Sequence, residues 1–324
     1  MSDEFPAVSV IVPGWGVGAY LGEALASLQA QTRADWEAIV VDDGDTERVA
    51  AAVAPFAADP RIRLLATDHA GLAAARNRGI ATARAPRIAL LDGDDRYRPD
   101  YLERMIERLD TDPATGFVTC DAILFGVPAF EGKRFSELEP QVGPVTLERV
   151  IRRDFKVFGA ATIRRAALAA VGGYDESLLS AEDLDLWIRL LAEGWGGVLL
   201  AVPLYEYRRR AASLSASSAS LARWVRQVYL NAVGRLEGRP ELQAARDMLA
   251  EADNDLAISE AMAAILEGRS REGIGRLRGT DIGRRSIKWR VALTAFSLFP
   301  PLARPVLRFY MRRQPFGSTK AASC

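Results

Sequence analysis

Three carboxylates, Asp92, Asp94 and Asp95, directly follow the apolar run 88–91. Like charges held this close repel one another, and a bound cation removes that cost. Hard divalent ions bind one or two carboxylates together with substrate phosphates. A Mg2+ or Mn2+ ion shared with a diphosphate is therefore the simplest functional interpretation. The alternative is a solvated acidic turn, because Asp and Gly are common in turns.

A second acidic pair, Glu182-Asp183, precedes residues with the apolar spacing of a helix. Acidic residues at a helix N-terminus are stabilised by the helix dipole, so capping alone could explain the pair. The functional interpretation is a general base, in which one carboxylate takes the proton of an attacking hydroxyl. The two acidic clusters would then do different chemistry.

The elements that must position these acids alternate along the first 110 residues. The sequence predicts strands at 8–12, 38–41, 62–65, 88–91 and 198–207, helices at 19–30, 72–83, 100–109, 146–153 and 181–192, and a loop at 128–144. This alternation predicts an α/β fold with a mainly parallel sheet. Ligands bind beyond the carboxyl ends of such strands. We therefore expect Pro13, Asp42-Asp43 and 92–95 on one rim.

Composition narrows the function classes. The 324 residues carry 42 basic and 42 acidic side chains, which disfavours nucleic acid as a partner, because duplex-binding proteins usually have a basic excess. A single histidine, His69, and two cysteines without a Cys-x-x-Cys pair leave any metal site to carboxylates and indicate a reducing cytoplasm. We find no signal-peptide pattern and no apolar run of the ~18 residues that a spanning helix needs.

The segment 284–313 contains basic residues but no acidic one, around the apolar run 291–301. This pattern is typical of a helix in a membrane interface, here at the inner face of the membrane. The alternatives are helices docked on the rest of the chain and a homodimer contact. The Ser- and Ala-rich stretch 211–222 indicates a domain edge. We predict a catalytic domain at 1–216, with halves at 1–110 and 111–216, and a helical extension at 217–324.

Two other motifs offer competing functions. Residues 14–19 read G-x-G-x-x-A after a strand, with Asp42 ending the next strand, as in NAD(P)-binding oxidoreductases of the Rossmann type. That function would leave both acidic clusters without a role. Residues 91–94 also resemble the first motif of haloacid dehalogenase-type phosphatases. Residues 150–200, however, offer no convincing set of the lysine and acidic pair that those enzymes need.

Six blocks of sequence, in collinear order, resemble the family 2 glycosyltransferases. They are 8–13 with 25–32, 40–44, 71–79, 91–95 with 99–100, 172–176 with 182–189, and 207–215. Each block is weak alone, and their order makes the resemblance specific over residues 6–216.

The resemblance implies a GT-A fold and an inverting enzyme that takes a sugar from a nucleotide-diphosphate donor. UDP-sugars are the favoured donors, and the acceptor would be a carbohydrate or a lipid-linked glycan in bacterial surface polysaccharide or glycoconjugate synthesis. A GT-A-fold protein that binds without turnover is the alternative within this fold.

The same resemblance implies residue roles. Asp183 is the expected catalytic base, with Glu182 beside it at the acceptor. Asp94, together with Asp92, is expected to bind Mg2+ or Mn2+. The residues expected at the donor nucleotide are Pro13, Trp15, Asp43, Arg76, Asp92 and Arg210.

The chain departs from the family pattern in three places, one of which is Asp45, where the family usually has Ser and which we interpret as a variation of the turn or cap. Trp15-Gly16 stands where the family usually has Tyr-Asn, so a ring for stacking remains but the amide is lost. Arg210 stands where the family often has a histidine. A guanidinium can pair with a diphosphate as a permanent cation, but it cannot ligate a metal.

Overall fold

The computed structural model describes residues 5–210 and 218–313. The chain forms two compact units divided between residues 211 and 212. The predicted boundary at 216/217 and the end of the last resemblance block, Ser213-Leu214-Ser215, lie outside the described residues.

A mixed sheet is the frame of the N-terminal unit. Its eight strands within residues 5–210 are β1 (Val8–Pro13), β2 (Trp36–Asp43), β3 (Ile62–Thr67), β4 (Arg87–Leu90), β5 (Arg96–Tyr97), β6 (Thr115–Phe125), β7 (Ala161–Arg164) and β8 (Gly196–Arg208). They lie in the spatial order β3-β2-β1-β4-β7-β6-β8-β5. The first four strands pair in parallel, as does β6 with β8. Because β7 enters antiparallel between β4 and β6, and β5 pairs antiparallel with β8, the second half of the sheet is mixed.

Helices cover this sheet. They are α1 (Gly18–Gln29), α2 (Thr46–Val53), α3 (Leu72–Thr82), α4 (Tyr101–Asp110), α5 (Phe135–Leu138), α6 (Leu147–Ile151), α7 (Arg165–Val171) and α8 (Glu182–Ala192). The main core includes Val10 and Val12 from β1, Leu25 from α1 and Met105 from α4. Burial on both faces explains why β1 is an unbroken apolar run apart from Ser9.

The close approach of α3 to the sheet matters for the site. A Cβ on Gly79 would lie 2.7 Å from Cγ2 of Ile11, so this glycine lets the helix lie directly on β1. The N-terminal turns of α3 therefore begin at the same rim of the sheet where β1, β2 and β4 end.

The C-terminal unit is helical over its described residues. Its helices are α9 (Ser218–Arg235), α10 (Leu242–Leu266), α11 (Ser270–Arg278), α12 (Asp281–Arg285), α13 (Ile287–Leu298) and α14 (Ala303–Arg313), with a 3-10 turn at Pro300–Leu302. Its own core includes Ile265, Leu277, Leu293 and Phe296. Among the residues that the structure describes, none of the helices combines the length and the apolarity needed to cross a bilayer.

Candidate active site

The acidic run 92–95 lies where β4 ends, beside the end of β1. A Cβ on Gly93 would come within 2.7 Å of the Pro13 carbonyl oxygen and of Cγ2 of Val17. Glycine is therefore required for the loop after β4 to pack on the loop after β1. The predicted meeting of Pro13 and the acidic run at one rim is confirmed by this contact.

Asp95 fixes the shape of the acidic run. Its side chain is buried and accepts hydrogen bonds from the Tyr205 hydroxyl at 2.9 Å and from the backbone N–H of Arg208 at 2.7 Å. Burial and the charges of Asp94 and Asp92 raise the pKa of Asp95. Asp95 thus holds the run against the end of β8, and Asp92 and Asp94 pair with arginines instead.

Asp94 faces the basic residues that follow β8. Its Oδ2 lies 2.8 Å from Nη2 of Arg210, and its carbonyl oxygen accepts from Nε of Arg208 at 2.7 Å. Burial, followed by the charge of Asp92, raises the pKa of Asp94, while Arg210 opposes that change. The structure therefore brings Arg210 to the acidic run, as a cation paired with the expected metal ligand.

Arg76 connects the two acidic clusters. Its Nη2 donates to Oδ1 of Asp92, and its Nη1 donates to Oε1 of Glu182 and Oδ1 of Asp183, each at 2.9 Å. The guanidinium is 2% exposed and lies over the ring of Tyr174. We expected Arg76 at the nucleotide; in the structure its terminal nitrogens bind carboxylates of the loop after β4 and of α8, because the N-terminal half of α3 lies between them.

Asp183 combines partial burial with like-charged neighbours. Burial raises its pKa to about 7; Arg76 opposes the shift, and the charges of Glu182 and Asp92 add to it. Its Oδ2 would lie 2.9 Å from a Cβ at position 159, so Gly159 leaves room for this carboxylate. A carboxylate that titrates near neutrality suits a general base, since it can both take and release a proton at working pH.

Glu182→Gln should move the activity of the enzyme to lower pH. Asp183 must be ionised to act as a base, so kcat/KM should rise as pH increases through the pKa of about 7. Removing the charge of Glu182 lowers that pKa. The activity at pH 6, as a fraction of the maximal activity, should therefore be roughly twofold or more higher in the variant than in the native protein. The measurement is the pH profile of nucleoside diphosphate release. Glu193→Gln, at the exposed far end of α8, is the matched control; an unmoved profile in Glu182→Gln would contradict the coupling.

Asn77, next to Arg76, anchors the block that precedes α8. Its Nδ2 donates to the Tyr174 carbonyl at 2.9 Å, and its Oδ1 accepts from the Tyr174 N–H at 2.8 Å. Gly173 has a φ of +75°, and a Cβ there would lie 2.6 Å from Oδ1 of Asn77. Consecutive residues of α3 thus hold the general-base candidate and the loop in front of it.

The residues expected at the nucleobase lie at the ends of neighbouring strands: Pro13 and Trp15 at or after the end of β1, and Asp43 at the end of β2. Asp43 is buried, and its carboxylate accepts from the backbone N–H groups of Ala70 and Gly71 at 3.0 and 2.9 Å. His69 lies 2.9 Å from Oδ2 of Asp43 and stacks on Trp15, with ring centroids 4.0 Å apart. Asp43 therefore organises a loop, and the aromatic pair forms the more accessible part of this end of the site.

The donor set of the acidic run fits a divalent metal that is shared with a diphosphate. No group of three or more acidic, histidine or cysteine side chains among the described residues is arranged to hold a metal by itself. Asp94 and Asp92 supply hard oxygen ligands, and burial followed by the charge of Asp92 raises the pKa of Asp94, a cost that a bound cation would reduce. Arg210 pairs with Asp94, so a metal at this carboxylate would require the guanidinium to move.

Sequence reasoning missed several residues of the site. Tyr205 and Gly159 lie at its carboxylates, and no motif pointed to them, while Tyr174 and Arg208 lie within the resemblance blocks at 172–176 and 207–215 but were given no role. Tyr205 offered one signal, since it lies two residues before the block at 207–215. Trp187, which lies in α8 with Glu182 and Asp183, is a core residue. Its ring packs on that of Phe117, with the ring centroids 4.8 Å apart.

The sequence of this chain is similar to a known protein family and to individual proteins. Residues 9–172 match the profile of the family described as glycosyl transferase family 2. The succinoglycan biosynthesis protein ExoO of Rhizobium meliloti (strain 1021) is 35% identical over 226 residues, which cover 66% of this chain and 64% of ExoO. The chain therefore spans a little under two thirds of the length of that relative.

Solved structures share the fold at low sequence identity. TarS of S. aureus (residues 1–349, in complex with UDP-GlcNAc) superposes with a TM-score of 0.62 at 20% identity, covering 83% of this chain and 79% of TarS. The mannosyltransferase PcManGT of Pyrobaculum calidifontis, in complex with GDP-Man and Mn2+, gives a TM-score of 0.56 at 20% identity, covering 92% and 88%. The predicted GT-A fold with a helical C-terminal region is confirmed.

Proposed function

Since the chain belongs to glycosyl transferase family 2, we propose that it transfers a sugar from a nucleotide-diphosphate donor to an acceptor hydroxyl with inversion. The observation that carries the proposal is the network of Arg76, whose guanidinium binds Asp92 on one side and Asp183 on the other. A donor held at the acidic run and an acceptor held at α8 would then meet at one point.

Asp183 acts as the base in this proposal. Its carboxylate takes the proton from the acceptor hydroxyl, and the freed oxygen attacks the anomeric carbon. The bond from that carbon to the diphosphate oxygen breaks, and the diphosphate leaves with the electron pair. Glu182 lies beside the base and contacts the acceptor. Arg76 is a positioning residue, because its hydrogen bond fixes Oδ1 of Asp183.

The donor lies between the aromatic pair and the basic end of β8. In this proposal the nucleobase packs against the stacked rings of Trp15 and His69. Asp43, which contacts His69, and Pro13 complete this part of the donor site. Arg210 approaches the diphosphate from the opposite side of the acidic run. A permanent cation at this place stabilises the negative charge that develops on the leaving group.

Asp94 and Asp92 are the residues that would hold Mg2+ or Mn2+. The ion would neutralise the charge of the leaving diphosphate. Arg210 is paired with Asp94 before the donor binds. We propose that it exchanges this carboxylate for phosphate oxygens when the donor and metal enter.

Donor binding and its dependence on Asp94 test the proposed function. In a thermal-shift panel of UDP-, GDP- and dTDP-sugars with Mn2+, one nucleotide class, with UDP-sugars favoured, should raise the melting temperature by several degrees. Asp94→Asn should remove most of this metal-dependent shift and lower turnover by ~100-fold or more. Asp175→Asn, whose carboxylate accepts from Ser177, is the matched control. A full Mn2+ effect in Asp94→Asn would contradict the metal assignment.

The acceptor in this proposal is a carbohydrate or a lipid-linked glycan of a bacterial surface polysaccharide or glycoconjugate, and the proposed compartment is the cytoplasm. The named role of ExoO in succinoglycan biosynthesis supports the polysaccharide setting.

The family assignment also explains the motif at 14–19 without a dinucleotide. A Cβ on Gly14 would lie 3.0 Å from Val49 and 3.1 Å from the Val41 carbonyl oxygen, so this glycine serves close packing.

A further inference from the structure

Large apolar side chains are exposed on one side of α13. Ile287, Val291 and Leu298 are 74%, 66% and 72% exposed. Their spacing of four and seven residues places them on a single face of the helix. Leu293 and Phe296, on the other face, are buried in the core of the C-terminal unit. Helix α13 is therefore apolar both toward this core and toward solvent.

The turn and the helix that follow extend this exposed surface. Phe299 and Leu302 of the turn and Val306 and Phe309 of α14 are each about half exposed or more. We call the exposed apolar residues of this segment the apolar surface: Ile287, Val291, Leu298, Phe299, Leu302, Val306 and Phe309. Exposed apolar side chains gathered in one segment of a soluble unit mark a site of interaction with a partner or a membrane.

Basic side chains accompany the apolar surface. Lys288 and Arg290 on α13, and Arg304 and Arg308 on α14, are all exposed. The segment 284–313 contains no acidic residue. Arg304 and Arg308 also line, with Phe309, an open cavity of about 250 Å3. Cationic groups thus lie directly beside exposed apolar ones.

We propose that residues 284–313 bind the surface of an anionic lipid bilayer, with α13 and α14 lying in the plane of the interface. The apolar surface enters the boundary of the acyl chains, and the arginines contact lipid phosphates. The charge pattern selects this occupant, because a purely apolar protein contact would not require a segment whose charged residues are all basic. Lying in the interface requires no helix of spanning length.

Vesicle flotation of the full chain tests the proposal in the absence of any donor. The protein should float with phosphatidylcholine vesicles that contain phosphatidylglycerol, and not with pure phosphatidylcholine, and added salt should weaken the binding. Val291→Ser/Phe299→Ser/Val306→Ser should lower the partition coefficient by ~10-fold or more. Arg304→Gln/Arg308→Gln should lower it by about the same factor.

The control replaces exposed apolar side chains elsewhere. Leu138→Ser/Val142→Ser changes two exposed residues of the N-terminal unit and should leave flotation unchanged. Unchanged melting temperatures in all variants establish that they fold. No flotation of the full chain, equal flotation of all variants, or loss of binding in inorganic phosphate but not in sodium chloride of equal ionic strength would overturn the proposal. The proposal would also be overturned if the full chain formed a dimer and did not bind vesicles, while the triple serine variant was a monomer.

Discussion

Asp183→Asn is expected to lower sugar transfer by ~1,000-fold or more while the donor still binds, because general base catalysis contributes about 100- to 10,000-fold. The amide oxygen can still accept from Nη1 of Arg76, so the arrangement of the site should persist. What is lost is the group that takes the proton. The measurement is nucleoside diphosphate release, together with donor affinity from the thermal shift.

The matched control for this variant is Asp175→Asn, which changes an acid of the same block outside the Arg76 network. It should retain near-normal turnover. Asp183→Asn with more than about a tenth of normal transfer would show that another group takes the proton. Loss of donor binding in Asp183→Asn would instead indicate a role in shaping the donor site.

Arg76→Met is expected to affect both stability and chemistry. The guanidinium is 2% exposed and is the shared partner of Asp92, Glu182 and Asp183. Removing one partner of a buried ion pair costs ~3–5 kcal/mol, because the remaining charge is left uncompensated. The melting temperature of the variant should therefore fall by roughly 10 °C, as measured by calorimetry.

The same variant should change the pH dependence of turnover in a defined direction. Arg76 lowers the pKa of Asp183, so its loss should raise that pKa and move the activity profile to higher pH. Arg76→Lys keeps the charge but cannot bridge three carboxylates. Its melting temperature and its pH profile should therefore lie between those of the native protein and those of Arg76→Met. Arg104→Met removes an arginine that pairs with Asp100 where both side chains are well exposed, and it should cost ~1 kcal/mol or less. An Arg76→Met protein with normal stability and an unmoved pH profile would rule out the positioning role.

The sequence predicted the first half of the fold well for a physical reason. Strands β1, β2 and β4 contain apolar runs that are buried on both faces, and such runs are visible without any knowledge of partners. The edge strand β3 is only partly buried, but it keeps a short apolar run. Helix α2 was missed because it buries only Val49 and Val53 on a short, alanine-rich segment. The sheet became mixed where β7 pairs with β4, a long-range pairing that no local pattern encodes.

The residue types of the site could be predicted, but their contacts could not. Arg76 was identified within its motif, yet its partners Glu182 and Asp183 are more than 100 residues away in the chain. Asp43 was expected at the nucleobase, but the motif did not predict that its carboxylate also accepts from backbone N–H groups of the loop after β3. Local spacing shows where a carboxylate lies, and tertiary packing decides which groups it binds.

The central claim is that this site breaks the bond between a sugar and a nucleoside diphosphate. Its most direct test is to incubate the full chain with UDP-, GDP- and dTDP-sugars, Mn2+ and a bacterial glycolipid extract that supplies the acceptor hydroxyl, and to identify the nucleotide product by mass spectrometry. We predict a nucleoside diphosphate from one nucleotide class in the native protein, and none above background in Asp183→Asn. Release of nucleoside monophosphate or inorganic phosphate, or no product from any donor, would contradict the claim.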